Sequence, residues 1–244
     1  MRDSEFFGEK QHSLEQLESH LIGVRFIAER FLGAFMYIPR ANKEDRIPVL
    51  HKLMEDHPFA SLVTMGSSGL FASHIPMVLE QNGAMGLLKG HLSRANTQWR
   101  DFTPSIEALA IFSGPQHYIT PTWYPEKQET GKVVPTWNYV VVHAFGYLKV
   151  IEDGEWLMAH LEKLTTVHEA GLPVPWKVAD APPDYIASLK KGIVGLELPI
   201  ERLEGKWKVS QNRSEADRSG VAKGLAELNT TESLAMKALV EARD

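Results

Sequence analysis

Between residues 59 and 112 the apolar side chains fall in short runs, at 59–65, 70–80, 84–91 and 107–112, parted by Gly, Asn or Ser turns rather than helical stretches. A parallel neighbour in the same sheet needs a crossover of about a dozen residues or more. The segments Gly66-Ser67-Ser68-Gly69 and Gln81-Asn82-Gly83 are much shorter. The first three runs are therefore expected as an antiparallel meander, which argues against a doubly wound nucleotide-binding sheet. Residues 137–151 are the longest strand candidate. Val140, Val142, Ala144, Gly146 and Leu148 alternate there with Tyr139, Val141, His143, Phe145 and Tyr147, so both faces are expected to be buried. Such a strand, with Gly146 where a bend is easiest, suits a barrel wall or a subunit interface. A last strand is expected over 193–203, and the fold class is mainly β with peripheral helices (α+β).

Helical patterns flank this region. Ser13-Leu14-Glu15-Gln16 has the form of a capping box, and Leu14, Leu17, Leu21, Val24, Ala28, Phe31 and Phe35 follow at spacings of three and four, which predicts an amphipathic helix. All 14 prolines lie between Pro39 and Pro199, none in that helix. Residues 155–169 place Trp156, Leu157, His160, Leu161, Leu164 and Val167 on one side, with Gly171 as a stop. Residues 173–183 are a proline-rich loop, a short helix is expected near 185–191, and the chain is helix-prone from Ser214 onward.

Composition removes several chemistries. With no cysteine, thiolate metal sites, disulfides and cysteine nucleophiles are excluded. The 26 Lys+Arg against 31 Asp+Glu give a formal net charge of −5, the wrong sign for a nucleic-acid-coating protein. The most apolar early stretch, 21–36, is broken by Arg25, Glu29 and Arg30. It reads neither as a spanning helix nor as a secretory segment, so no membrane association and a cytoplasmic protein are expected. The signatures G-x-S-x-G, H-E-x-x-H, G-x-G-x-x-G and the phosphate-binding G-x-x-x-x-G-K-[ST] are all missing. No histidine pair has chelating spacing, so no metal site is expected.

Three segments remain. Gly90 to Trp99 runs from a strand end toward an expected helix and offers His91, Ser93, Arg94 and Asn96. A hydroxyl, a guanidinium, an amide and free N–H groups on one turn suit a phosphate. Ser73 and His74 lie on the preceding strand and are expected to pair across the ladder near residues 89–91. Finally, 113–125 and 132–139 interleave Tyr118, Thr120, Trp123, Trp137 and Asn138 with prolines, a composition suited to a planar polar ligand.

Met36-Tyr37-Ile38-Pro39, Ser73-His74-Ile75-Pro76, Gly90-His91-Leu92-Ser93-Arg94-Ala95-Asn96, Phe112-Ser113-Gly114-Pro115, Tyr118-Ile119-Thr120-Pro121-Thr122-Trp123-Tyr124, Val134-Pro135-Thr136-Trp137-Asn138-Tyr139 and Trp207-Lys208-Val209-Ser210-Gln211-Asn212-Arg213 resemble, in that order, the PaiB-like family of FMN-binding negative transcriptional regulators. The resemblance implies an antiparallel split β-barrel of FMN-binding type, a homodimer with flavin at the subunit interface. It divides the chain into a helical extension (1–35), the split-barrel domain (36–224) and a helical tail (225–244). It further implies that FMN phosphate sits at His91, Ser93, Arg94 and Asn96, with Ser73 and His74 lining the flavin. Tyr118, Thr120, Trp123, Trp137 and Asn138 would close the site, from the partner chain in one arrangement. Thr122 stands where the family more often has serine, which keeps the hydroxyl.

The resemblance makes a flavin-binding regulator the first expectation. DNA is a partner by resemblance, although the chain shows no basic recognition helix and its charge opposes a phosphate-backbone footprint. An FMN-dependent oxidoreductase is the alternative, the flavin supplying the redox chemistry. A haem-binding protein is a third reading, resting on ten histidines and on split-barrel relatives.

Overall fold

The computed structural model describes residues 36–242, so the amphipathic helix expected over 1–35 lies outside the described residues. In chain order the elements are β1 (Lys43–Glu44), α1 (Ile47–Asp56), β2 (Phe59–Gly66), β3 (Gly69–Pro76), β4 (Val78–Glu80), β5 (Leu87–Ser93), β6 (Ala108–Ile119), α2 (Glu126–Glu129), β7 (Thr136–Gly146), β8 (Lys149–Ile151), α3 (Gly154–Glu169), α4 (Pro183–Lys190), β9 (Ile193–Pro199), β10 (Arg202–Lys208), α5 (Glu215–Leu228) and α6 (Thr231–Glu241). The strands form two antiparallel sheets, a six-stranded sheet A in the order β1-β10-β7-β6-β2-β3 and a four-stranded sheet B in the order β4-β5-β9-β8. Fold class and antiparallel pairing agree with the sequence reading.

The strand boundaries correct it. Each of the runs 70–80, 137–151 and 193–203 is two strands, one per sheet: β3 and β4, β7 and β8, β9 and β10. The breaks fall where the ladder cannot continue. Pro76 has no N–H to give and Gly146 has no Cβ. At Gly146 the crossings touch: a Cβ there would lie 2.0 Å from the Pro199 carbonyl oxygen. The expected meander thus stops at Met77, whose N–H turns to the Pro58 carbonyl (2.9 Å). Ser73 and His74 pair with Leu62 and Ser61 of β2, not with residues 89–91; Lys89 faces Val78 of β4. β6 runs on past 112 to Ile119 because an irregularity between Ser113 and Gln116, which holds Pro115, lets the ladder resume.

Alternation assigns the faces. Ala60, Leu62, Ala110, Phe112, Val140, Val142 and Ala144 point inward and are buried against Leu88, Leu92, Val194, Leu196 and Leu198 of sheet B, with Leu50 and Met54 of α1 closing the core. Ser61, Val63, Leu109, Ile111, Val141, His143 and Phe145 share the opposite face of sheet A. The expected burial of both faces of β7 holds fully for the inner one; Tyr139, Val141 and His143 on the outer one are only half-buried.

Residue 225, the expected start of the helical tail, lies inside α5, and Leu225, Met236 and Val240 of α5 and α6 belong to the core. Ser214 caps α5 by accepting from the Asp217 N–H (3.2 Å), and Asn229 ends it in the left-handed region (φ 49). Among the described residues no helix is long and apolar enough to cross a membrane.

One buried side chain ties the candidate site to this frame. The turn after β5 is a short 3₁₀ helix, Thr97–Trp99, capped by the Asn96 carboxamide oxygen, which accepts from the Gln98 N–H (2.9 Å). The fully buried Gln98 donates to the carbonyls of Leu62 (3.1 Å) and Phe71 (3.2 Å) and to Thr64 Oγ1 (3.1 Å). Gln98→Leu strips buried acceptors of their donor and is expected to cost about 2–3 kcal/mol, checked by urea unfolding. An unchanged midpoint would show that water replaces the amide there.

Candidate functional site

The expected phosphate turn is built from three elements. β5 ends at Ser93, and the Arg94 N–H donates to the Gly192 carbonyl (2.8 Å), which pins the turn to the entry of β9. The Ser93 hydroxyl oxygen accepts from the Ala95 N–H (3.2 Å). Asn96 Nδ2 donates to Ser73 Oγ on β3 (2.8 Å), so two residues singled out separately in the sequence meet. Arg94 Nη1 donates to Glu152 Oε1 (2.6 Å), and its guanidinium lies 5.6 Å from the Trp99 ring. Trp99 Nε1 donates back to the Arg94 carbonyl (3.1 Å). Because Thr97–Trp99 is only one turn, the helix N-terminus expected after Ser93 is not a full helical dipole. What the turn could offer an anion is therefore its side chains and loop N–H groups.

His91 comes from the same strand and faces α3. Its Nδ1 lies 3.2 Å from His160 Nε2. The His160 ring stacks on Trp156 at 5.2 Å and 21°, and Trp156 sits where a Cβ on Gly195 would be, 2.3 Å from its ring. Trp156 Nε1 donates to Glu197 Oε1 (2.8 Å). Burial, then His91, then Lys89 push the His160 imidazole down to about 4, and burial lowers that of His91. Sequence reasoning placed His160 on the apolar side of its helix but did not link it to His91, since 69 residues separate the two.

His74 goes elsewhere. Successive strand residues leave opposite faces, so while Ser73 meets Asn96, His74 emerges on the outer face of sheet A, its Nδ1 2.9 Å from Ser61 Oγ and its ring stacked on Phe59 (6.3 Å, 30°). The aromatic segment is likewise divided. Tyr118 and Trp137 are exposed (44% and 53%) on the outer face and meet edge to face at 6.1 Å. Trp123 packs into α5, where a Cβ on Gly224 would lie 2.3 Å from its ring. Thr120 caps the turn Pro121–Trp123 by accepting from the Thr122 N–H (3.3 Å). Asn138 is buried and donates to Ser210 Oγ (2.9 Å), holding a residue with φ 64. Trp123, Thr120 and Asn138 are thus committed to partners within the chain, while Tyr118 and Trp137 present open ring surface.

Within one chain the Ser73–Asn96 group and the Tyr118–Trp137 group share no hydrogen bond or ring contact among the described residues. Two surface clefts of about 380 and 370 Å³ are lined by Arg218, Lys223 and Lys237 among others, and by Ile47, His51 and Gly86 among others; neither contains a residue of the expected ligand set. Among the described residues no group of three His, Asp or Glu side chains could hold a metal ion.

Comparison with known proteins places the chain in a family. The family described as "Putative FMN-binding domain" matches residues 36–202. A protein of Emericella nidulans is 36% identical over 231 residues, covering 80% of this chain and 92% of that one. The Bacillus subtilis "Protease synthase and sporulation protein PAI 2" is 31% identical over 209 residues, covering 84% and 97%. Among solved structures, the flavocytochrome Anf3 of Azotobacter vinelandii superposes with a TM-score of 0.55 at 12% identity, over 72% of this chain and 74% of that one. The "FAD and Heme binding protein" of Mycobacterium smegmatis does so with a TM-score of 0.50 at 15% identity, over 68% and 73%. At these identities the structural likeness concerns the fold, and the sequence relatives carry the family: the chain belongs to the PaiB-like family of FMN-binding-domain proteins and has their antiparallel split-barrel fold.

Proposed function

We propose that this chain binds FMN as a homodimer and acts as a regulator of the PaiB type through flavin occupancy. The observation that carries the reading is the Asn96–Ser73 hydrogen bond, which converts two separate motifs into one polar turn beside Arg94. The residues fit the group in kind. The Ser93 hydroxyl, the Arg94 guanidinium and the loop N–H groups would hold the phosphate, and the open rings of Tyr118 and Trp137 would lie against the planar isoalloxazine. When bound, FMN supplies hydride or electron chemistry, and the chain's own side chains bind and orient it.

The homodimer is supported by the outer face of sheet A, where Val63, Leu109, Ile111 and Val141 form a half-buried apolar field. In this reading a second copy covers the field, and the aromatic pair of one chain completes the site at the turn of the other. A basic DNA-reading surface is not part of the reading, because the chain carries −5.

The test is a pair of fluorescence titrations with FMN and with riboflavin, which lacks the phosphate. FMN is expected to bind at least ~30-fold more tightly, about 2 kcal/mol for charge-assisted contacts, and Arg94→Ala is expected to remove most of that difference. Equal affinities would remove the phosphate turn from the site, and no binding of either would overturn the flavin reading.

A further inference from the structure

The His91–His160 contact has two arrangements. In one, His160 Nε2–H donates to His91 Nδ1. In the other, His91 Nδ1–H donates to His160 Nε2, which puts the His160 proton on Nδ1. His160 is 3% exposed, and its Nδ1 is sealed from solvent with no hydrogen-bond partner. A buried N–H without an acceptor is rarer and costlier than an acceptor with an empty lone pair. The first arrangement is therefore the stable one. It leaves the His91 proton on Nε2, for which no acceptor within the chain is found among the described residues.

We infer that His160 is a positioning residue that locks His91 as a neutral Nε2–H donor beside the turn at Ser93–Asn96, where it serves the oxyanion of a phosphate monoester. The inference rests on the flavin-phosphate reading above for its ligand, but the lock itself stands on the geometry of the pair. Ionising His91 would place an Nδ1–H against the Nε2–H of His160, which could yield only by moving its own proton to the sealed Nδ1. The charged groups around the pair do not relieve this. Lys89 on β5 opposes a second cation, and it is itself held by Glu80 on β4 (2.7 Å) and approached by Glu197 on β9 (4.0 Å). Glu197 is also committed to Trp156. Lys149, the Glu197 partner on β8, is exposed, and Lys190 on α4 donates to the Gly154 carbonyl (2.9 Å). A donor that stays neutral gives the turn a hydrogen bond that does not fade as pH rises through the usual imidazole range near 6.5.

The decisive measurement is ¹⁵N-histidine NMR of the full chain between pH 5 and 8. Both Nδ1 atoms are expected as bare nitrogens and both Nε2 as protonated, with His91 not titrating. In His160→Phe, which keeps a ring against Trp156, His91 loses the donor to its Nδ1 and is expected to regain a titration, still held below its ordinary range by burial. In His160→Gln, whose amide can donate to the same nitrogen, it is expected to stay locked. FMN titrations at pH 6 and pH 8 give a second readout. The ratio of affinities in His160→Phe is expected to exceed the wild-type ratio several-fold, the wild type correcting for the phosphate's own titration near pH 6. Protonation of His160 Nδ1, or a wild-type His91 that titrates between pH 5 and 8, overturns the lock, and the NMR result decides it even if the variant fails to fold. A chain that keeps the lock but binds no FMN overturns the flavin reading and the assigned role at a phosphate together.

Discussion

Gly146→Ala is expected to destabilise the protein by about 3 kcal/mol or more, lowering the thermal midpoint by ~10 °C. The added methyl would lie 2.0 Å from the Pro199 carbonyl oxygen and 3.1 Å from its carbonyl carbon, both backbone atoms that no rotamer change can move. Relief would have to come from parting β7 from the end of β9. There the Glu201 N–H donates to the Phe145 carbonyl (2.9 Å) and the Ile200 N–H to the Gly86 carbonyl (3.0 Å). The first bond extends the β10–β7 ladder of sheet A and the second the β5–β9 ladder of sheet B, so the strain falls where the chain passes from one sheet to the other, the joint of the barrel. The matched control is Gly171→Ala, where the methyl meets nothing within 4 Å and a change within ~0.5 kcal/mol is expected. Thermal unfolding of both variants checks this, and a Gly146→Ala midpoint within a degree or two of wild type would mean that the crossings are not in contact.

The same joint shows what the sequence could and could not disclose. Period-two alternation reads which residues share a face, and it placed Val140, Val142 and Ala144 together correctly. It does not read which sheet a strand belongs to, because the alternation carries on through a crossing as long as the chain stays extended. Residues 70–80, 137–151 and 193–203 therefore each look like one strand although each serves both sheets. The available signals were Pro76, Gly146 and Pro199, and of these only Gly146 was read as a bend. The helix expected after Ser93 shrank to Thr97–Trp99 because Gln98 turns inward to satisfy β2 and β3, a demand set by residues some thirty positions earlier.

At the site, local chemistry was legible and partnership was not. Ser93, Arg94 and Asn96 stand together by type and spacing, whereas Ser73 meets Asn96 only through its side chain and not by the expected ladder pairing near residues 89–91, because β3 pairs with β2. His74, taken with Ser73, follows the opposite face. Glu152, in the link just before α3, and His160, within α3, engage Arg94 and His91 from a distant segment, and no periodicity links them to the turn. Trp123 and Asn138 have the residue types of a ligand wall, yet each has a committed intrachain partner, in Gly224 and Ser210.

Ile111→Glu is expected to convert the proposed dimer to a monomer and to weaken FMN binding by ~100-fold or more, while the circular dichroism spectrum stays that of the wild type. Ile111 lies mid-row on the outer face of sheet A, with Ser61 beside it on β2 and His143 on β7. In a single chain this position borders solvent, so a carboxylate there costs the fold little. In a twofold interface the same patch faces its own copy, so each substitution buries two carboxylates. Leaving a charge buried without a partner costs about 3–5 kcal/mol, and His143 offers little relief, because burial holds its imidazole below its ordinary range against the opposing pull of Glu204. In the proposed dimer FMN affinity would follow assembly, because the Ser93–Asn96 turn and the Tyr118–Trp137 pair share no contact within one chain. Light scattering with flavin titration separates the outcomes. A monomeric variant that still binds FMN at wild-type affinity would place the whole site in one chain, and a dimer that keeps full affinity would move the interface off this face.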